Sequence, residues 1–271
     1  MRFDVTASIV LYKSDPDVVG AAIKSFLQCT LPCRLYLLDN SPDRQLQTLA
    51  SDERVEYIFN NGNIGFGKAH NIALRKSEVE SKYHLVLNPD VYFNTNVIET
   101  LFRYMEDHRA VGQVMPLVLY PDGEIQYSGK LLPTPLDLFG RRVFPSWNYF
   151  KNKNDIYELR GSGYNQVMNV PQHLGCFMFI RTSILNKVGY FDEDMFMYME
   201  DIDLTRRIHQ KFETIFYPLT SVYHHYEQGS KQNPKLFKYH VNSSITYFNK
   251  WGWLFDGERR TLNKKAREKY G

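Results

Sequence analysis

Apolar side chains occupy every second position at Phe3, Val5, Ala7, Ile9 and Leu11. That is the period of a strand with one face buried, and it predicts a strand over residues 3–12. Asp15-Pro16 follows, an N-cap type and a proline suited to the first helical position. Val18, Val19, Ala22, Ile23, Phe26 and Leu27 then recur at helical spacing. Apolar runs at 34–38, 55–59 and 83–87 read as further strands, the first closed by Asp39-Asn40-Ser41-Pro42. A glycine-bearing turn and a helix over about 68–76 separate the last two. This alternation predicts a mostly parallel central sheet flanked by helices on both faces. In such sheets ligands bind beyond the carboxyl ends of the strands, where Asp39, the glycine turn and Asp90 fall.

After about Met115 the pattern loosens. Residues 121–172 are rich in Pro, Gly, aromatic and basic residues without clear period, and a compact domain rarely keeps so much irregular chain without a use for it. Regularity returns with a buried strand over 175–181, a short helix over 183–188, the turn Gly189-Tyr190-Phe191-Asp192-Glu193 and a strand over 216–223. With no internal repeat, low-complexity tract or linker, the chain reads as one α/β domain spanning 1–271.

Composition narrows the class only modestly. The 271 residues are 43% hydrophobic and 23% charged, ordinary for a globular protein, and a net charge of +3 does not argue for nucleic acid. The aromatic share of 15% suits a carbohydrate or headgroup site, although core packing accounts for most of it. Cys29, Cys33 and Cys176 are too few and too irregular for a disulfide framework or a four-ligand zinc site. Asp4 interrupts any signal-peptide pattern, and Phe177–Ile180 is too short to span a bilayer. The expectation is a cytoplasmic protein, soluble or peripheral.

Two acidic segments carry the candidate chemistry. Asn88-Pro89-Asp90 follows a buried strand, where a carboxylate can hold a hard divalent ion beneath a diphosphate; the same three residues are also turn formers. Glu200-Asp201-Ile202-Asp203 opens a helix whose Leu204, Ile208 and Phe212 share a face. Acids there suit the helix dipole, but the apolar approach Met195–Met199 would also raise a carboxylate pKa toward that of a general base. Asp201 is the expected base, and Asp203 is expected to face solvent or to pair with Arg206 or Arg207. The loop from Asn61 to Asn71 lacks both the Rossmann and P-loop patterns, yet its backbone N–H groups and Lys68 could meet an anionic nucleotide. His224-His225 at a strand end is structural or metal-ligating, and Gly229-Ser230-Lys231 reads as a cationic loop able to close over phosphates. In the tail, Arg259, Arg260, Lys264, Lys265, Arg267 and Lys269 read as a solvated helix, or as an attraction to anionic lipid aided by Trp251, Trp253 and Phe255.

Taken in order, Ser8–Tyr12, Leu38–Ser41, Asn63–Gly67 with Asn71, Leu87–Val91, Gly175–Arg181, Gly189–Glu193 and Tyr198–Leu204 resemble the family-2 inverting glycosyltransferases with the GT-A fold, close to their rhamnosyltransferase branch. The resemblance implies a nucleotide-sugar-binding half over 1–115, an acceptor and catalytic half over 116–230, and an aromatic, basic tail over 231–271. It implies Asp39 on the nucleobase, with Tyr12, Asn63, Gly65, Phe66, Lys68, Asn71 and Asn88 around the nucleotide. Asp90 would ligate Mg2+ or Mn2+, with His224 as a further ligand and His225 in reserve. Asp201, with Glu200 beside it, would deprotonate the acceptor. Asn88 departs from the family's frequent Asp-x-Asp, removing one charge from the metal site. The implied donor is dTDP-L-rhamnose, or alternatively a UDP-sugar. The implied acceptor is a lipid-linked surface polysaccharide at the inner membrane face. A non-catalytic nucleotide-sugar-binding subunit is the rival from another class.

Overall fold

The computed structural model describes residues 1–138, 148–225 and 233–271, without the side chains of residues 148–151. The first half builds β1 (Phe3–Leu11), α1 (Pro16–Leu27), β2 (Cys33–Asp39), β3 (Val55–Phe59), α2 (Phe66–Glu80), β4 (Ser81–Leu87), β5 (Val91–Tyr92) and α3 (Val97–Asp107). Then come β6 (Val111–Leu119), β7 (Gly129–Lys130), α4 (Asn148–Tyr157), β8 (Met168–Asn169), β9 (Gln172–His173), β10 (Phe177–Arg181) and α5 (Leu185–Val188). The chain closes with α6 (Glu200–His209), β11 (Glu213–His224), α7 (Pro234–Trp251) and α8 (Gly257–Tyr270). The start of α1 follows its sequence signals: Pro16 opens it and Asp15 Oδ1 accepts from Asp17 N at 2.8 Å. Helix α2 is longer than its apolar period suggests, and runs into β4 without a linker.

The central sheet runs β3-β2-β1-β4-β10-β6-β11-β5, with β8 on β11. Strands β1 to β4 are mutually parallel, as the alternation predicts. β10 enters antiparallel to both β4 and β6, and β11 pairs parallel to β6. The reversal has a direct consequence. The start of β10 lies at the same rim as the ends of β1, β2, β4, β6 and β11. That rim therefore gathers Asp39, Asp90, Gly175 and His224.

The pleat sorts β1 into two faces. Val5, Ala7, Ile9 and Leu11 join the core that includes Val19, Ala22 and Phe26 of α1 and Leu101 of α3. The opposite face carries Thr6 and Ser8, fully buried near α2. There His84 Nδ1 lies 2.9 Å from Thr6 Oγ1 and 2.8 Å from Ser77 Oγ, and Ser8 Oγ lies 2.7 Å from both His84 Nε2 and His70 Nδ1. Burial lowers both imidazole pKa values, that of His84 to about 3, so this seam is neutral at ordinary pH. Further along, Leu74, Val86, Met178, Ile180, Leu204 and Ile208 pack α2 and α6 onto the same side of the sheet.

The tail is docked by one face, while Arg260, Lys264, Lys265, Arg267 and Lys269 stay exposed. Arg206, 1% exposed, donates a fork to Asp256 at 2.8 Å on each arm and a further bond to Glu258 at 2.8 Å, with Trp251 beneath its guanidinium at 4.0 Å. Asp256 also caps α8 by accepting from Arg259 N. Asp203 takes the second of its two expected places, paired with Arg207 rather than facing solvent. It is fully buried, and it accepts from Arg207 Nε at 2.9 Å, Trp251 Nε1 at 2.7 Å and Lys250 Nζ at 2.9 Å. Arg206 is thereby left to the tail, since Arg207 takes the i+4 pairing.

Candidate active site

The nucleotide-side residues form a closed lattice. Asp39, at the end of β2 and fully buried, accepts from Ser41 N at 2.8 Å and from Tyr57 O–H at 2.6 Å. Burial and that bond to Asp39 push the Tyr57 pKa up. Asn40, which sequence reasoning did not single out, donates to Gly65 O at 3.1 Å and to Asn63 Oδ1 at 3.4 Å. It also accepts from Asn60 Nδ2 at 2.9 Å. Asn63 Oδ1 in turn accepts from Gly65 N at 3.1 Å. Gly65 has φ +95°, and a Cβ there would lie 2.7 Å from Phe196 O, so the turn needs glycine twice over. Phe66 N donates to the same carbonyl at 2.9 Å, docking the turn on the approach to the acidic cluster.

Of the expected nucleotide contacts, Tyr12 is 44% exposed at the end of β1 and open to a base. Lys68 is half-exposed, its Nζ 3.7 Å from Glu193. Asn88 is half-buried, its N–H donating to Cys176 O at 2.9 Å. Asn71 is corrected. It is fully buried, donates to Phe191 O and Glu193 Oε1 at 3.0 Å each, and accepts from Phe191 N at 2.9 Å. With those groups engaged it straps the 189–193 turn to α2 and presents nothing to a nucleotide.

At the other end the polar groups are less complete. Asp90 Oδ1 is buried without a hydrogen bond among the described residues, 3.4 Å from His224 Nε2. Burial opposes charge on His224, but Cys176 and Asp90 outweigh it and raise its pKa to about 10. His224 Nδ1 lies 2.9 Å from Gln126 Oε1, which orients the ring. His225 instead lies against the Tyr92 ring, centroids 5.3 Å apart. Among the described residues no group of three or more His, Cys, Asp or Glu side chains is placed to hold a metal. Asp90 and His224 are donor types that suit a divalent ion, and Asp90 Oδ1, with no hydrogen bond among the described residues, has lone pairs to offer one. Gly229-Ser230-Lys231 lies outside the described residues.

Asp201 sits in the first turn of α6, partly exposed. Its Oδ2 accepts from Gly175 N at 2.8 Å and its Oδ1 from Ile202 N at 2.9 Å. A Cβ on Gly175 would fall 2.8 Å from Asp201 Cβ, so this glycine makes room for the carboxylate. Burial raises the Asp201 pKa, against the two N–H groups and the nearby Lys130. Tyr198 and Met199, at φ +70° and +71°, turn the chain sharply into the helix. Glu200, beside Asp201, is 4% exposed, and its Oε2 has no hydrogen-bond partner among the described residues. Its Cγ would be 3.4 Å from a Cβ on Gly67, which places it against α2. Burial and the Asp201 charge raise its pKa well above the usual glutamate value, which favours the neutral acid.

Sequence reasoning also missed Lys130, whose Nζ lies 3.0 Å from Glu158 and whose charge reaches Asp201. Nothing local marks it; β7 pairs with β9 just before Gly175, and only that long-range pairing brings it close. A separate concavity of about 590 Å³, lined by Ile156, Leu159, Lys264 and Arg267, lies against α8. It is at the other end of β11, where Tyr270 O–H accepts from Asn169 N.

The two carboxylates are tied by one short stretch of ladder. Asn88 N–H bonds Cys176 O, with Asp90 two residues beyond the first and the Asp201-binding Gly175 next to the second. Residues 7–189 match the sequence pattern of Glycosyl transferase family 2. The chain belongs to that family. Rhamnosyltransferase WbbL of Escherichia coli K12 is 28% identical over 71% of this chain and 73% of its own. The N-acetylglucosaminyl-diphospho-decaprenol L-rhamnosyltransferase of Mycobacterium tuberculosis is 25% identical over 83% and 77%. The low-salt glycan biosynthesis hexosyltransferase Agl10 of Haloferax volcanii is 26% identical over 76% of this chain, which spans 62% of that protein. Among solved structures, GalNAc-T7 with UDP, GalNAc and Mn2+ superposes with a TM-score of 0.64 at 14% identity, covering 99% of this chain and 55% of that one. Staphylococcus aureus TarS does so with 0.60 at 15%, over 96% and 42%. The shared fold of this family-2 member is GT-A.

Proposed function

We propose that the protein is an inverting glycosyltransferase, moving L-rhamnose from dTDP-L-rhamnose to a hydroxyl of a lipid-linked surface polysaccharide. The observation that carries the reaction class is Asp201, a partly exposed carboxylate aimed by two backbone N–H groups, with a raised pKa, beside the rim that holds Asp90 and His224. Asp201 takes the acceptor's proton as the freed oxygen attacks the anomeric carbon. The bond from that carbon to the diphosphate oxygen breaks on the opposite face, and the electron pair leaves with the nucleotide. Asp90 and His224 would hold Mg2+ or Mn2+, which when bound neutralises charge on the departing diphosphate. Tyr12 and the lattice around Asp39 and Asn63 receive the nucleoside, and Lys68 meets the phosphates. In this reading residues 1–115 bind the donor and residues 116–230 bring the acceptor and the base.

The rhamnosyl donor and lipid-linked acceptor rest on the two rhamnosyltransferase relatives, one of which is named for a decaprenol diphosphate. The hexosyltransferase relative favours the second reading, a UDP-hexose or UDP-N-acetylhexosamine on the same machinery. A panel of nucleotide sugars, with and without Mn2+, read by released nucleotide, tests both. Turnover of dTDP-L-rhamnose alone, lost in Asp90→Ala, is the expected outcome. Preference for a UDP-sugar selects the second reading, and binding without turnover when an acceptor is supplied selects a binding subunit.

A further inference from the structure

Trp253, Leu254 and Phe255 form the turn between α7 and α8 and are 40, 70 and 86% exposed. They are held out firmly. Gly252 has φ +104°, and a Cβ there would lie 2.6 Å from Phe255 O, so the turn is tight. The carbonyls of the turn are already occupied: Arg259 donates to Gly252 O at 3.4 Å and to Trp253 O at 3.1 Å, and Arg260 to Leu254 O at 3.4 Å. Carbonyls already bonded to protein donors lose less on leaving water, which eases entry into an apolar phase.

The helix leading to this turn has a matching polar face. Lys235, Lys238, Asn242, Ile245 and Asn249 are all exposed and fall on one side at helical spacing, and α7 contains no acidic residue. Trp253 continues that side, its indole N–H bonded to Asn249 Oδ1 at 2.8 Å. Acidic groups near the turn are already neutralised, Asp256 and Glu258 by Arg206 and Asp192 by Lys250. The inner face of α7 rests on the approach to the candidate base: Tyr239 on Phe196 at 4.4 Å, His240 on Tyr198 at 5.0 Å, and Ser243 Oγ donating to Met197 O at 2.9 Å.

We infer that the outer face of α7 and the turn at 253–255 form one docking surface for an anionic lipid bilayer. Trp253, Leu254 and Phe255 enter the headgroup boundary, while Lys235 and Lys238 meet lipid phosphates along a helix about 27 Å long. Of the tail residues named for this role from the sequence, Arg259 is buried and Trp251 packs on Arg206, whereas Trp253 and Phe255 are exposed; α7 adds Lys235 and Lys238. Docking this way sets the mouth at Phe196–Asp201 at a fixed height over the membrane. The proposal takes its purpose, not its evidence, from the lipid-linked acceptor above.

The test is co-sedimentation of the whole chain with vesicles of phosphatidylcholine, alone or mixed with phosphatidylglycerol. Wild type is expected to bind the mixed vesicles at least about tenfold more tightly than neutral ones. Leu254→Ser with Phe255→Ser, and separately Lys235→Glu with Lys238→Glu, should each weaken binding about tenfold or more. Both should keep wild-type melting and nucleotide release. No binding by wild type, or equal binding to neutral vesicles, overturns the proposal. So does a wild-type dimer in solution that only the Leu254/Phe255 variant dissociates, with no vesicle binding, since the occupant is then a second copy. Failure of nucleotide release with every donor refutes the transferase reading and leaves the vesicle result standing.

Discussion

The two ends of the cleft are built to opposite rules. Around Asp39, Asn40, Asn63 and Asn71, donors and acceptors find one another, and the result is a rigid lattice beneath a turn that only glycine can make. At the other end Asp90 Oδ1 and Glu200 Oε2 make no hydrogen bond among the described residues, the Glu200 and Asp201 pKa values rise, and two residues in succession take the left-handed conformation. A satisfied lattice gives shape. Unsatisfied groups hold free energy that a ligand or a transferred proton can release, which suits the chemistry proposed for this end.

Asp201→Asn should break the reactive end most severely. Transfer should fall roughly a hundred- to ten-thousand-fold, with donor affinity by calorimetry unchanged. Gly175→Ala sharpens the same point without touching a charge. Its Cβ would displace the Asp201 carboxylate, and kcat should drop about ten- to a hundredfold with little change in donor KM. Asn71→Ala probes the other end. Losing the strap should cost about 1–3 kcal/mol in chemical unfolding, while donor affinity of the folded protein stays near wild type. A large loss of donor affinity would return Asn71 to the nucleotide pocket.

Glu200→Gln is the smallest and most discriminating change. If Glu200 is neutral, the amide mimics it, and activity should stay within about threefold of wild type. Its folded pKa is raised, so its contribution to stability is full below the unfolded glutamate pKa and declines as pH rises toward the folded value. The gain in Tm from Glu200→Gln should therefore grow with pH over that interval. A gain that shrinks instead would mean that the buried carboxylate is ionised and held by a partner.

Much of this was legible from local pattern. Alternation in β1, the Asp15-Pro16 start of α1 and the apolar run of β4 are properties of a few neighbouring residues, and they placed Asp39 and Asp90 at strand ends. What escaped depends on distant partners. The reversed direction of β10 follows from the path of a long irregular stretch, not from its own sequence. Asn71 looked like a polar loop residue because its partner Phe191 is 120 positions away. The pairing of Asp203 with Arg207 was among the expectations, but the burial of Asp203 was not, because Trp251, which donates to it, lies on another helix.

The hydroxyl and imidazole seam between β1, β4 and α2 carries a last consequence. Apolar alternation repeats every two residues, so sliding β1 along β4 by two would return the same faces to the same sides. A slide that put Val10 in the place of Ser8 would leave His84 Nε2 and His70 Nδ1 without their hydroxyl, at about 1–3 kcal/mol for each buried group left alone. Oiliness tells the strand which way to face, and the seam tells it where along its neighbour to stop. A protein whose reactive groups hang from the ends of those same strands needs both instructions.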